Sequence, residues 1–275
     1  DALPISWRDY FVVWADDPDL PAHFQADYRA IGEAIGALDA AQPVWLSPFP
    51  ADHPVIQLHA GLRPDLRAYN GRFCLPYADP VGDRGTVYVI VPGLQDHSLA
   101  LLQTLYPTGE TVEGPLPAGS DRPYYRAFHA PAGATPAIGP AVAVPAAWEA
   151  GMGLLGYTLE GMATPGDSLT VTLFYAATAA PSANYTAFVH LLGPARADGS
   201  PVWAQSDSEP CGGALPTGKW RAGDLVRDTV TLTIPADAPA GEYRLVTGFY
   251  TWPDLVRVPL AGGGDAAELT HWTIP

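Results

Sequence analysis

Ser168-Leu169-Thr170-Val171-Thr172-Leu173-Phe174-Tyr175 decides the fold of the second half of this chain. Leu169, Val171, Leu173 and Tyr175 alternate with Ser168, Thr170, Thr172 and Phe174. A period of two is the pattern of a strand with one dry and one wet face. Thr229-Val230-Thr231-Leu232-Thr233-Ile234 repeats it, and Tyr243, Leu245, Thr247 and Phe249 form another such row. Turn signals separate the rows: Pro165-Gly166-Asp167, Asp198-Gly199, Ala222-Gly223-Asp224 and Pro239-Ala240-Gly241. Short strands between regular turns predict an all-β antiparallel β-sandwich, jelly-roll or Ig-like, over residues 148–275.

Working back from there, residues 131–147 are Ala-, Pro- and Gly-rich with almost no charge, which predicts a linker. Residues 1–130 mix two periods and predict a small α/β domain with a partly parallel sheet. Tyr10 to Trp14 is a short apolar run. Asp16-Asp17-Pro18-Asp19 offers capping chemistry for a helix carried by Leu20, Phe24, Ile31, Ile35 and Leu38. Val44-Trp45-Leu46 predicts a strand, His53 to His59 a short helix, and Arg67 to Leu75 another strand. Thr86 to Val91 is a continuous β-branched run of the kind buried on both sheet faces. Asp96 opens a helix through Leu99, Leu102 and Leu105 that stops at Pro107, and Tyr124 to His129 predicts a last strand.

The chain of 275 residues has a formal net charge of −15, with a single Lys, Lys219. That balance argues against nucleic acid and anionic lipid, both of which demand a basic face. No run of about 18 apolar residues is present, and Asp1 to Tyr10 lacks the features of a signal peptide.

Complete catalytic motifs are absent from the sequence. There is no GxSxG, Walker A, HExxH or GxGxxG after a strand. Asp96-His97-Ser98 reads as a helix start, because neighbours on a helix point apart. His53 and His59 are six apart, which is no shared helical face, and His190 sits between Val189 and Leu191 in a strand pattern. Asp207 and Glu209 form a carboxylate pair with nothing to place them around a cleft. Asp167, Asp198, Asp224 and Asp228 could contribute to a structural Ca²⁺ site, but three of them sit at turn signals, which suits turn capping better. Arg63, Arg67 and Arg72 are the nearest approach to a basic group, and a solvated edge accounts for them. No metal ligands and no cofactor are expected.

Trp203, Trp220, Tyr250 and Trp252 cluster in the second half, several beside turns. Their faces suit weak stacking on sugar rings; filling the core is the competing role. Cys74 and Cys211 form no CxxC or Cys/His cluster, and an even count permits one disulfide without requiring it. Cys211 lies in the loop Glu209-Pro210-Cys211-Gly212-Gly213, which could reach the first domain and fix the two together.

Two sets of residues carry a family resemblance. Trp7-Arg8-Asp9-Tyr10-Phe11-Val12-Val13-Trp14-Ala15, with Val44-Trp45-Leu46-Ser47-Pro48, resembles the segment after the last membrane helix of bacterial dolichyl-phosphate-mannose-type glycosyltransferases, the membrane-embedded GT-C class. Gly151 to Tyr157, Pro165 to Leu169, Phe188 to Leu192 and Gly241 to Leu245 resemble a β-sandwich often appended to such transferases. The resemblance implies a non-catalytic, extracytoplasmic accessory region, at the cell surface or in the periplasm. Its partners would be the membrane-embedded transferase domain of the same polypeptide and an acceptor glycan or protein. The family's catalytic acid lies between its first membrane helices and has no counterpart here. A soluble part separated from its membrane part would also account for the abrupt start. The alternatives are a free-standing carbohydrate-binding or adhesive surface module and, more remotely, a hydrolase.

Overall fold

The structure is a computed structural model that describes residues 7–8, 25–78, 82–117, 119–161 and 164–274. The apolar run Tyr10 to Trp14, the capping stretch Asp16 to Asp19, and Leu20 and Phe24 lie outside the described residues. The fold is β-rich with few helices. It divides into two compact units: Asp1–Ala68 with Pro80–Ala134, and Tyr69–Asp79 with Thr135–Pro275. No helix among the described residues is long and apolar enough to cross a membrane.

In the first unit, β1 (Val44–Ser47), β2 (Arg67–Ala68), β4 (Thr86–Ile90), β5 (Glu110–Glu113) and β6 (Arg126–Ala130) form one sheet in the order β2-β1-β4-β6-β5. β1 runs parallel to β2 and β4, while β6 runs antiparallel to β4 and β5. β4 is buried at every position, as its unbroken apolar run requires. Helix α1 (Ala26–Gly36) buries Ile31, Gly32 and Ile35. Gly32 permits the close approach of helix α2 (Pro54–His59): a Cβ there would stand 2.7 Å from the His59 Cβ. Helix α3 (Ser98–Leu105) follows β4, and Asp96 Oδ1 accepts from the Ser98 amide at 2.8 Å, as an ordinary helix start.

Arg63 corrects the sequence reading. It is 6% exposed and lies on no solvated edge. Its guanidinium donates to the carbonyls of Ile35 (3.2 Å), Asp39 (2.9 Å), Ala40 (3.2 Å) and Gln42. Ile35 lies in the last turn of its helix, where its carbonyl also accepts from the Leu38 amide at 3.2 Å, so a planar cation with several donors ties the α1 C-terminus to the turn after it.

The second unit holds two sheets. β3 (Cys74–Pro76), β12 (Leu225–Thr233), β9 (Ser168–Ala177), β8 (Met152–Glu160) and β7 (Val142–Ala147) stand in the order β3-β12-β9-β8-β7, and β11 (Val202–Ser208), β10 (Tyr185–Leu192), β13 (Gly241–Thr251) and β14 (Ala267–Ile274) in the order β11-β10-β13-β14. Every pairing in both is antiparallel. Two sequence boundaries differ. The stretch Arg67 to Leu75, read as one strand, splits at Asn70-Gly71 into β2 and β3, which belong to different sheets. Val142–Ala147, read as linker, forms edge strand β7, whose Pro145 falls in a register shift where no ladder donor is needed.

The sheets of this unit meet through buried aromatic and polar side chains. Tyr175 packs on Phe249 at 5.2 Å, and Phe249 takes the edge of Trp148 at 5.0 Å. The Tyr175 hydroxyl lies 3.2 Å from Thr247 Oγ1, which donates to the Phe188 carbonyl at 2.8 Å. That chain satisfies polar atoms that burial would otherwise penalise.

Candidate functional site

The four aromatic candidates separate once placed. Trp220 is 2% exposed, leans on Tyr175 at 6.0 Å and donates its indole N–H to the Leu215 carbonyl at 3.1 Å. It is core, and the expectation that it meets a ligand is corrected. Trp203 is half-buried, pinned by an indole N–H bond to the Pro194 carbonyl (2.8 Å) and covered by the Arg196 guanidinium 4.7 Å above its ring. Trp252, immediately after β13, is 72% exposed. Tyr250 is half-buried on β13.

Around Tyr250 the outward face of the four-stranded sheet gathers chemistry. β10 presents Thr186, Phe188 and His190 on that face, opposite Tyr250, Gly248 and Val246 of β13. Phe188 stands at an outward position yet is 0% exposed. Its ring occupies the space over Gly248, where a Cβ would come within 2.6 Å of it. The Arg257 guanidinium covers it at 4.5 Å, His190 flanks it at 4.7 Å and Tyr250 at 6.3 Å. Arg257 is held in turn by Asp265 at 3.2 Å.

Beside this aromatic floor, His190 Nε2 faces both carboxylate oxygens of Asp207 on β11, each at 3.2 Å. His190 Nδ1 is buried without a hydrogen-bond partner. Burial raises the Tyr250 phenol above its ordinary pKa, and the neighbouring Asp207 carboxylate adds to the effect. The arrangement supplies an apolar floor, an acceptor carboxylate, an imidazole and a phenol.

Other sequence candidates are dispersed. Glu209 precedes the 3₁₀ turn Pro210–Gly213 and accepts from the Gly213 amide through its carbonyl at 3.1 Å. Asp198 caps its own turn by accepting from the Ser200 amide (2.9 Å), and Asp224 does so from the Arg221 amide (2.7 Å). Asp228 is 3% exposed and accepts from the Cys211 amide at 3.0 Å. Among the described residues no group of three or more His, Cys, Asp or Glu is placed to hold a metal. Cys74 and Cys211 are joined in a disulfide with Cα atoms 4.9 Å apart. Both cysteines belong to the second unit, so the bond staples β3 into its own sheet and does not tie the two units together.

Phe188 and Arg257 escaped the sequence reading. Phe188 falls in the unalternating run Ala187 to Leu192, where nothing marks an outward position. Arg257 lies beyond a turn, and only the bridge between Tyr250 and Arg257 brings it back over the sheet.

No known family model matches the chain, and no curated protein matches it.

Proposed function

We propose that the chain is a non-catalytic, extracytoplasmic region whose second unit, a β-sandwich, holds a glycan on the outward face of its four-stranded sheet. The observation that carries this reading is the pairing of Tyr250 with the His190–Asp207 couple, beside the open ring of Trp252 at the same strand end. A sugar offers apolar C–H faces and rings of hydroxyls; aromatic faces take the first, and a carboxylate and imidazole take the second. Each aromatic contact contributes about 1 kcal/mol, so two with a hydrogen bond reach roughly the 4 kcal/mol of millimolar affinity.

The sandwich reading draws support from side chains joining the two antiparallel sheets and from Tyr243, whose hydroxyl donates to the Pro239 carbonyl at 2.8 Å. Such a tyrosine bonding back to the chain just upstream is a mark of Greek-key sandwiches. The parallel β2-β1-β4 set with α1 and α2 supports reading the first unit as α/β. The Cys74–Cys211 disulfide suits an oxidising compartment outside the cytoplasm.

The role as accessory to a polyprenyl-phosphate-sugar-dependent membrane transferase rests on the sequence resemblance. The free-standing carbohydrate-binding module remains its rival, because the aromatic face lies wholly within the second unit. The test of binding is a titration of the isotopically labelled chain with neutral oligosaccharides at millimolar concentration. Amide shifts should centre on Thr186, His190 and Tyr250 and vanish in Tyr250→Ala; a panel that moves none of them removes the reading. The open reading frame preceding Asp1 separates the two roles: membrane helices support the first, a signal peptide the second.

A further inference from the structure

The five-stranded sheet turns a different face outward. Thr172 and Thr229 Oγ1 atoms lie 3.2 Å apart, Thr170 and Thr231 3.4 Å, and Ser168 and Thr233 Oγ atoms 3.5 Å, a ladder of hydroxyl pairs running along β9 and β12. At its inner end stands Arg227, on β12 opposite Phe174 of β9 and Leu75 of β3. Phe174 is buried there and takes the Tyr77 ring at 6.5 Å.

Arg227 is half-buried, and among the described residues its guanidinium donates to two hydroxyls, Thr229 Oγ1 at 3.3 Å and Thr172 Oγ1 at 3.5 Å. Six other arginines are held by carboxylates instead. Arg29, Arg63, Arg84, Arg126, Arg244 and Arg257 each stand within ion-pair distance of a carboxylate. A guanidinium carries five donors in a planar fork, so two long bonds to neutral oxygens leave most of its capacity open. Burial pulls its pKa down, against the opposing fields of Tyr77, Glu160 and Asp228. A partly desolvated cation among hydroxyls gains most from an anion arriving in the plane of its fork.

We propose that this face is a second saccharide site, selective for a uronic-acid unit, in which Arg227 holds the sugar carboxylate and the outer pairs Thr170–Thr231 and Ser168–Thr233 meet the hydroxyls of the rings that follow, while buried Thr172 positions the guanidinium. The planar carboxylate matches the fork two oxygens to two nitrogens. A doubly charged phosphate is disfavoured, because Glu160 and Asp228 lie close enough to act on Arg227 and the chain carries −15 overall. Stacked hydroxyl pairs recur along the strands, so a chain of hydroxylated rings can follow them away from Arg227. The site lies on the other sheet from Tyr250 and does not depend on the reading of that face.

The experiment titrates the whole labelled chain with tri-galacturonic acid, galactotriose and inorganic phosphate. Tri-galacturonic acid should move the amides of Thr172, Arg227, Thr229 and Thr231 with millimolar affinity, about tenfold tighter than either other probe, as one charge-assisted contact implies. Arg227→Gln should weaken it about tenfold, and Arg227→Lys, which keeps charge without the fork, should fall between. Should Arg227→Gln fail to fold, Thr172→Val serves, with an expected loss of a few-fold. The proposal falls if the acid gives no shift, if galactotriose or phosphate matches it, or if the folded variants bind it like the parent.

Discussion

The two sheets of the second unit spend their outward faces in opposite ways. The four-stranded sheet buries a Phe188 ring there under Arg257 and lays a His190–Asp207 couple beside it. The five-stranded sheet shows a ladder of threonines there and keeps its unusual features at the β3/β12 edge: the Cys74–Cys211 disulfide and the buried carboxylate of Asp228. The comparison teaches that an outward position is not a wet position. On the five-stranded sheet hydroxyl pairs finish the outer part of the face, and Phe174 is buried against Tyr77 at its inner end; on the other, a loop carrying Arg257 folds back and makes a small second core.

The sharpest break in the comparison comes from the covalent staple. Residues 74 and 211 close a loop with a sequence separation of 137. Opening such a loop restores chain entropy to the unfolded state worth about 5 kcal/mol. The Cys74→Ala, Cys211→Ala double variant should therefore lose about that much in denaturant unfolding. Hydrogen exchange should show β3 and β12 opening first while β10 and β13 stay protected. Equal loss of protection in both sheets would show that the bond supports the unit as a whole.

Phe188→Ala tests the small second core. Removing a fully buried Phe ring costs about 3–5 kcal/mol. Thr231→Val, on the ladder, should stay within about 0.5 kcal/mol, as for a surface strand position. Chemical denaturation of the two variants side by side measures the contrast; a Phe188→Ala effect as small as that of Thr231→Val would make both faces merely surface.

Much of this architecture was legible in the sequence, and the remainder has physical reasons for its silence. Thr229 to Thr233 announced its strand because alternation records one wet face and one dry one. Thr86 to Val91 did so because only burial on both faces tolerates an unbroken apolar run. Arg67 to Leu75 misled because β-propensity is local, whereas membership of β2 or β3 is settled by partners far along the chain. Glu110–Glu113 stayed hidden because an exposed edge strand needs no apolar side chain. Trp220 and Trp252 both stand close to turn residues in the sequence, and the tertiary fold buries one and exposes the other. Arg63 looked like a surface cation because its acceptors are main-chain carbonyls, which no side-chain pattern reveals.

Asp228 gives the five-stranded edge a pH signature in the acid range. Burial pushes its carboxyl up to about 6 from an ordinary 3.8, against the Cys211 and Thr229 amides and Arg227. The folded state thus holds this proton more tightly than the unfolded chain does. The stabilisation is fully present below the unfolded value near 3.8 and is lost as pH rises through about 6. The total change is about 3 kcal/mol. Subtracting the unfolding free energy of Asp228→Asn from that of the parent at each pH isolates the group from other titrating carboxylates. The difference should fall between about pH 4 and 6.5 and be flat above; a difference that rises with pH would mean the amides and Arg227 outweigh desolvation.

The smallest expected effect on stability bears most directly on function. Trp252 is 72% exposed just after β13, and among the described residues no ring contact or hydrogen bond ties its side chain to the fold. Replacing it with Ala should change unfolding free energy by no more than about 0.5 kcal/mol. If its ring is a stacking surface, the same change should weaken a neutral oligosaccharide about fivefold, the equivalent of one aromatic contact near 1 kcal/mol. Tyr250→Phe makes the complementary cut: it keeps the ring and removes the phenol beside Asp207. Stacking predicts that Trp252→Ala weakens the neutral sugar more than Tyr250→Phe does, with both proteins equally stable. The reverse order would move recognition from the open ring to the polar group at Asp207. Equal affinity in both variants and the parent would leave the four-stranded face as nothing more than a well-covered sheet.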